Sequence, residues 1–177
     1  KYHEVIAYVE KLGTTENLLN AKDIEHLVGQ SYFALKEYGP AAEHLDKYVQ
    51  SSAKVRQEDI YQLAYARYRN GQYAQAITRF SELNAQENSL GQNALYCLAD
   101  CYLKSGQKAE ARNAFAGAMK FSFDLVIKEE SNFNYAKLSY ELGYENVSIS
   151  SLVGFMETCP ASAHIAETRE LLAELFL

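Results

Sequence analysis

The sequence predicts an all-α chain of stacked helical hairpins, and three observations predict it. Glycine and proline are scarce, 9 and 2 in 177 residues, so turns are few and elements long, whereas an all-β sandwich needs many turns. Apolar residues fall at helical rather than alternating spacing. A pattern also recurs: Ala64, Gly71, Tyr73, Ala76 and Phe80 return 35 residues later as Ala99, Gly106, Lys108, Ala111 and Phe115. Stepping back by the same interval gives Gly29, Tyr32, Tyr38, Ala41 and Leu45. Stepping forward 37 residues gives Ala136, Tyr140, Gly143, Ser148 and Leu152, then Pro160. Four copies result, the middle two clear and the outer two degraded.

In chain order, Tyr2–Leu12 places Val5, Ile6, Val9 and Leu12 on one stripe and reads as the second helix of an earlier, partial repeat over residues 1–20. The first full copy spans about 22–56, with Lys36 where the turn glycine is expected and Gly39-Pro40 just after it. The second, about 57–91, carries one stripe of Ile60, Leu63, Ala64 and Tyr68, a stop at Gly71, and a second stripe of Tyr73, Ala76, Ile77, Phe80 and Leu83. Gly71 suits that stop because glycine takes positive φ without steric cost. Ala64 and Ala76 mark close approach of two helices, and Tyr73 and Phe80 fill the gap to the adjacent pair. Neither helix can bury its stripe alone, so consecutive pairs must stack. The third copy, about 92–128, repeats this plan, and the fourth, about 129–160, follows after a step two residues longer, which places an irregular joint at Phe121–Ser131. Ile165, Leu171, Leu172 and Leu175 then mark the first helix of a further partial repeat over 161–177.

The small–Gly–aromatic–Ala–Phe pattern of the middle copies resembles the tetratricopeptide repeat (TPR), and Pro160 sits where that family often ends a repeat. The resemblance covers roughly residues 22–160. It implies a single domain over 1–177: a right-handed α-α superhelix, a TPR-like solenoid of about four helix pairs with flanking partial repeats, some ten helices in all. Departures are local. Ser148 replaces the usual Ala, and the family's final small position is Ala118 in the third copy but Tyr48, Leu83 and Phe155 in the others.

Composition narrows the chemistry. A formal net charge of −6 and the lack of a basic stripe argue against nucleic acid. No apolar run is long enough to span a membrane. The 3 cysteines, Cys97, Cys101 and Cys159, cannot all pair, and Cys97 and Cys101, four apart on one helix, read as small buried hydrophobes. His3, His26, His44 and His164 are scattered without metal-ligand spacing, so neither metal nor cofactor is expected. No nucleophile elbow or phosphate-cradling loop is present. Glu129 and Glu130 read as a solvated helix start, and Asn146-Val-Ser148 spells a glycosylation sequon by chance. The expectation is a non-enzyme.

In the resembled family, side chains on the first helix of each pair line the concave face and contact peptides. Carried onto this chain, the positions are His26, Gln30 and Phe33 from the first copy, then Tyr61, Tyr65 and Tyr68, with Glu58 and with Arg69 at the edge. Tyr96 and Asp100 follow, then Phe133, Lys137 and Tyr140, with Glu130. Tyrosine gives contact area at low rotamer cost and a hydroxyl handle. The same aromatics also fit packing between repeats. The Lys/Asn/Lys/Arg clamp that some members use for C-terminal carboxylates is absent, because His26, Gln30, Gln62, Asn93 and Cys97 stand there. The resemblance therefore implies a protein–protein interaction scaffold that holds a peptide segment or partner protein in its groove. The alternatives are a self-assembling repeat segment, associating as a homo-oligomer through its ends, or an accessory domain of a larger envelope-assembly protein or enzyme. The start at Lys1 and the apolar end Leu175-Phe176-Leu177 read as a piece of a longer or processed protein. The Tyr-rich run Ala136–Gly143 is similar to bacterial members of the family, and the compartment, periplasm and envelope or cytoplasm, stays open.

Overall fold

A computed structural model describes residues 1–13 and 19–177; the stretch 14–18 of the expected first partial repeat lies outside them. The described residues form ten helices and no strand: α1 (Tyr2–Leu12), α2 (Ala21–Ala34), α3 (Tyr38–Ser51), α4 (Gln57–Arg69), α5 (Tyr73–Ser81), α6 (Ser89–Lys104), α7 (Lys108–Ala118), α8 (Leu125–Glu141), α9 (Glu145–Thr158) and α10 (Ile165–Leu175). They divide into two compact units, Lys1–Leu83 with α1–α5 and Asn84–Leu177 with α6–α10. Within each unit, helices consecutive in sequence pack on one another.

The hairpin turns show why these sequences repeat. Each first helix ends on a left-handed residue: Lys36 at φ 63°, Gly71 at 75°, Gly106 at 74° and Gly143 at 78°. The next residue's N–H reaches back five positions, as Glu37 to Tyr32, Gln72 to Arg67, Gln107 to Tyr102 and Tyr144 to Ser139, at 2.8–2.9 Å. This is the Schellman arrangement, which satisfies the carbonyls that a helix end leaves unpaired. That next residue takes φ near −90° and ψ between 61° and 75° in all four turns, then opens the second helix.

Close approach explains the small residues. The register Gly29, Ala64, Ala99 and Ala136 is buried throughout, as is Ala41, Ala76, Ala111 and Ser148 on the second helices. A Cβ at Gly29 would lie 2.8 Å from Leu45 Cγ, so even alanine forces a shift there. Ser148 carries a hydroxyl in an alanine slot and satisfies it by donating to the Ala136 carbonyl at 3.1 Å. Leu45, Phe80, Phe115 and Leu152 then fill the space between helices, none more than 2% exposed. Cys97 and Cys101 are buried free thiols, and burial, with lesser help from neighbouring charges, pushes the Cys101 thiol up to about 12.

The joint before the last hairpin is shorter than Phe121–Ser131. α7 ends at Ala118, and α8 is already under way at Leu125. Asp124 sets that start, its carboxylate accepting from the Val126 and Ile127 N–H groups at 2.9 and 3.1 Å. Glu129 and Glu130 therefore sit a full turn inside α8 rather than opening it. Gln92, fully buried on α6, holds the joint closed. Its amide donates to the carbonyls of Phe121 and Asp124 at 3.1 and 3.0 Å, more weakly to that of Ala118 at 3.4 Å, and its oxygen accepts from the Asp124 N–H at 2.8 Å.

Candidate functional site

In the first unit, His26, Gln30 and Phe33 on α2 and Tyr61, Tyr65 and Tyr68 on α4 come together on one face, all half-buried. Spacings of three and four residues bring them to the same side of each helix. Their rings form a continuous set. Tyr61 stacks on Tyr65 with centroids 6.0 Å apart and planes 19° off parallel. Phe33 and Tyr38 each stand edge-on to Tyr65 at 5.9 Å, and Tyr68 continues the run at 5.9 Å. Behind, Tyr61 rests edge-on against the buried Phe80 of α5 at 5.7 Å. Arg69 lies exposed at the margin, its guanidinium 5.0 Å from the Tyr38 ring centre and donating to the Tyr65 hydroxyl at 3.2 Å. Aromatic packing and recognition are thus not exclusive here: the rings hold one another while part of each stays in solvent.

Under the α2 end of this face lies a residue the sequence reading passed over. Asp59 is fully buried. Arg56 holds it with two bonds of 2.9 Å, His26 Nε2 lies 2.8 Å from Oδ1, and the Gln30 amide donates at 3.4 Å. Burial pushes the Asp59 carboxyl up, but the hydrogen bonds and charges of Arg56 and His26 outweigh it and hold the group below its ordinary value. His26 is engaged on two sides, since its ring also stacks on Tyr48 at 4.1 Å. The detectable signal was the register: Asp59 aligns with Ala94 and Ser131, both fully buried, so a carboxylate there requires partners.

In the second unit, Tyr96 on α6 lies edge-on to Phe115 at 5.8 Å. Burial first, then the charges of Glu130 and Asp100, raises its hydroxyl pKa. Asp100 is half-buried one turn further along α6. The α8 residues meet α10. His164, just ahead of α10, stacks on the buried Phe133 at 4.1 Å and lies 2.9 Å from Glu130. Lys137 pairs with Glu167 at 2.6 Å, and the Tyr140 hydroxyl donates to Glu174, a bond that raises its pKa. His164, Glu167 and Glu174 carried no signal in the repeat register, because they belong to the helix that follows it.

No group of three or more potential metal ligands occurs among the described residues, and no helix among them is long and apolar enough to cross a membrane. Residues 41–118, from early α3 to the end of α7, match a family model described as anaphase-promoting complex, cyclosome, subunit 3, which is a TPR-type repeat family. Comparison with curated proteins finds no match.

Proposed function

Starting from a chain that is a TPR-like repeat protein, we propose a non-catalytic protein-binding module whose contact residues lie on the first helix of each hairpin. The observation that carries this reading is the α2–α4 face of the first unit. Six of the side chains named from the repeat register meet there, and four of them are aromatic rings that stay half-buried beside the fully buried Leu45, Leu63 and Phe80. Held rings and a hydroxyl at each tyrosine are the features that make tyrosine a recognition residue. Tyr96 and Asp100 of the second unit extend the same register. Phe133, Lys137 and Tyr140, engaged by α10, would act chiefly by fixing that helix.

The test is affinity for a partner recovered with the intact chain, compared between wild type and a Tyr61→Ala/Tyr65→Ala/Tyr96→Ala variant that keeps its helical circular dichroism. A loss of tenfold or more is expected, and unchanged affinity removes these residues from the site. A second reading, association with further repeats or another copy, is favoured by the apolar surface of α1. Tyr8 is 66% exposed there, and a hollow of about 630 Å3 opens between α1 and α2, lined by Val5, Tyr8, Val9, Leu12, Ile24 and Leu27 together with the polar Lys1, Glu4 and Asn20. Light scattering that shows only monomer at high concentration rejects association with another copy.

A further inference from the structure

Each hairpin buries its stripes only against its neighbours, and two helices lack one of those neighbours. A second helix is normally flanked on both sides. α3 packs on α2, the first helix of its own hairpin, and on α4, the first helix of the next; α7 lies likewise between α6 and α8, and α9 between α8 and α10. Among the described residues α1 packs on α2 alone, yet its register is that of a second helix. From Tyr2, where α1 opens, to Ala21, where α2 opens, is the same interval as from Tyr38 to Gln57. Glu10 therefore stands at the place of Asp46, and it accepts from the Tyr32 hydroxyl at 3.4 Å where Asp46 pairs with Arg67 at 2.7 Å. Val5 and Val9 stand where α3 has Ala41 and Leu45. Those two are fully buried, with Leu45 against Gly29 of α2, whereas Val5 and Val9 are half-buried and line the hollow between α1 and α2. Across it, Ile24 stands at the place of Asp59, which reaches back to the preceding first helix through His26 and Gln30. The hollow is thus the place of a first helix.

α10 is the opposite half. It packs on α8 and α9 as a first helix does, and the described residues give it no second helix of its own. The Tyr140–Glu174 hydrogen bond fixes its register, because it takes the place of the Phe33–Tyr65 contact in the first unit. Thr168 then falls at the place of Ser131, both fully buried. Ala173 falls at the small position of Gly29, Ala64, Ala99 and Ala136; those four are buried, and Ala173 is exposed.

We propose that α10 of one copy lies in the α1–α2 hollow of a second copy, so that the two helices complete a hairpin. This rests on the second reading above, association with another copy, and names the surfaces that meet. Ring contacts inside the first hairpin give the pairs. Tyr32 stacks on His44 at 5.6 Å, and Phe33 meets Tyr38 edge-on at 5.8 Å. The equivalent residues between copies are Phe176 with Tyr8, and Leu177 with Tyr2. All four are exposed in the single chain, Phe176 at 71% and Tyr8 at 66%, so pairing them removes large apolar surface from water. Ala173 meets Val9 as Gly29 meets Leu45. α1 and α10 have 11 residues each, ~16 Å of helix, so each covers the other along its length. The contact joins unlike surfaces, α10 of one copy and α1 of the other.

Sedimentation velocity of the full chain is expected to show mass rising with concentration. Tyr8→Asp and Phe176→Asp change exposed side chains, so helical circular dichroism should hold, and each is expected to weaken association at least tenfold. Mixed, the two variants are expected to form a one-to-one pair and nothing larger, because Tyr8→Asp keeps a working α10 and Phe176→Asp keeps a working hollow. Should either variant unfold, Tyr2→Asp and Leu177→Asp repeat the mixing. Wild-type association that either variant leaves intact, or a mixture that stays monomeric, overturns the inference and leaves association with another copy standing. A wild type that is monomeric at high concentration overturns both.

Discussion

Among the described residues Lys36 is the one non-glycine with positive φ, at 63°, in a turn whose three counterparts are glycine at 74° to 78°. The four turns share their hydrogen bonds, so the comparison isolates one variable, the side chain at the left-handed position. An L-residue there costs ~1–2 kcal/mol. Glycine relieves that cost but gives the unfolded chain more freedom, worth ~0.4–1 kcal/mol in the other direction. Lys36 is exposed and gives up no buried contact. The balance makes Lys36→Gly more stable by about 0.5–1 kcal/mol, a rise in Tm of roughly 1–4 °C for a chain of this size. Urea denaturation followed by far-UV circular dichroism reads it as a higher midpoint at unchanged slope. The converse, Gly106→Lys, should lower the midpoint by a similar amount. If Lys36→Gly is destabilising, or if Gly106→Lys is neutral, the left-handed residue is not what these turns require.

Gln92→Ala removes the bonds that close the joint at 119–124 and orphans buried backbone groups, each worth ~1–3 kcal/mol; about 3 kcal/mol should be lost, with faster amide exchange at Asp124, and a loss below about 1 kcal/mol would mean the joint holds without it. Asp59→Asn should cost stability near neutral pH. The folded carboxyl lies below its unfolded value, so the wild-type advantage is complete above about pH 4 and fades as pH falls through the folded value. Thermal melts across that range check the sign, and a gap that widens on acidification contradicts it. A thiol reagent should modify the half-buried Cys159 first, while Cys101, pushed up to about 12 by burial, waits for unfolding; prompt reaction of Cys101 in the folded chain would refute its burial.

The hairpin plan was legible from the residues because its causes are local. A turn that needs a left-handed residue selects Gly71, Gly106 and Gly143, and a close helix crossing selects Ala64 and Ala76, whatever lies elsewhere in the chain. Even the exceptions could be located from the pattern, although not their remedies: Lys36 accepts the glycine's backbone conformation, and Ser148 finds the Ala136 carbonyl. The members of the α2–α4 face were named by carrying the resembled family's first-helix positions onto this chain; helical spacing accounts for their sharing a side of each helix, while the meeting of Phe33 with Tyr65 is a contact between hairpins.

Contacts between elements far apart in sequence were not legible. That Asp59 would gather Arg56, His26 and Gln30, that Gln92 would reach across to the joint and pull α8 forward to Leu125, and that α10 would engage Phe133, Lys137 and Tyr140 all depend on where a neighbouring hairpin sets down its side chains. The residues determined the repeat, its turns and its faces through short-range sterics and periodicity. Tertiary packing alone decided which polar groups are satisfied and which rings remain in solvent, because burial and hydrogen-bond partnership exist only once separate helices meet.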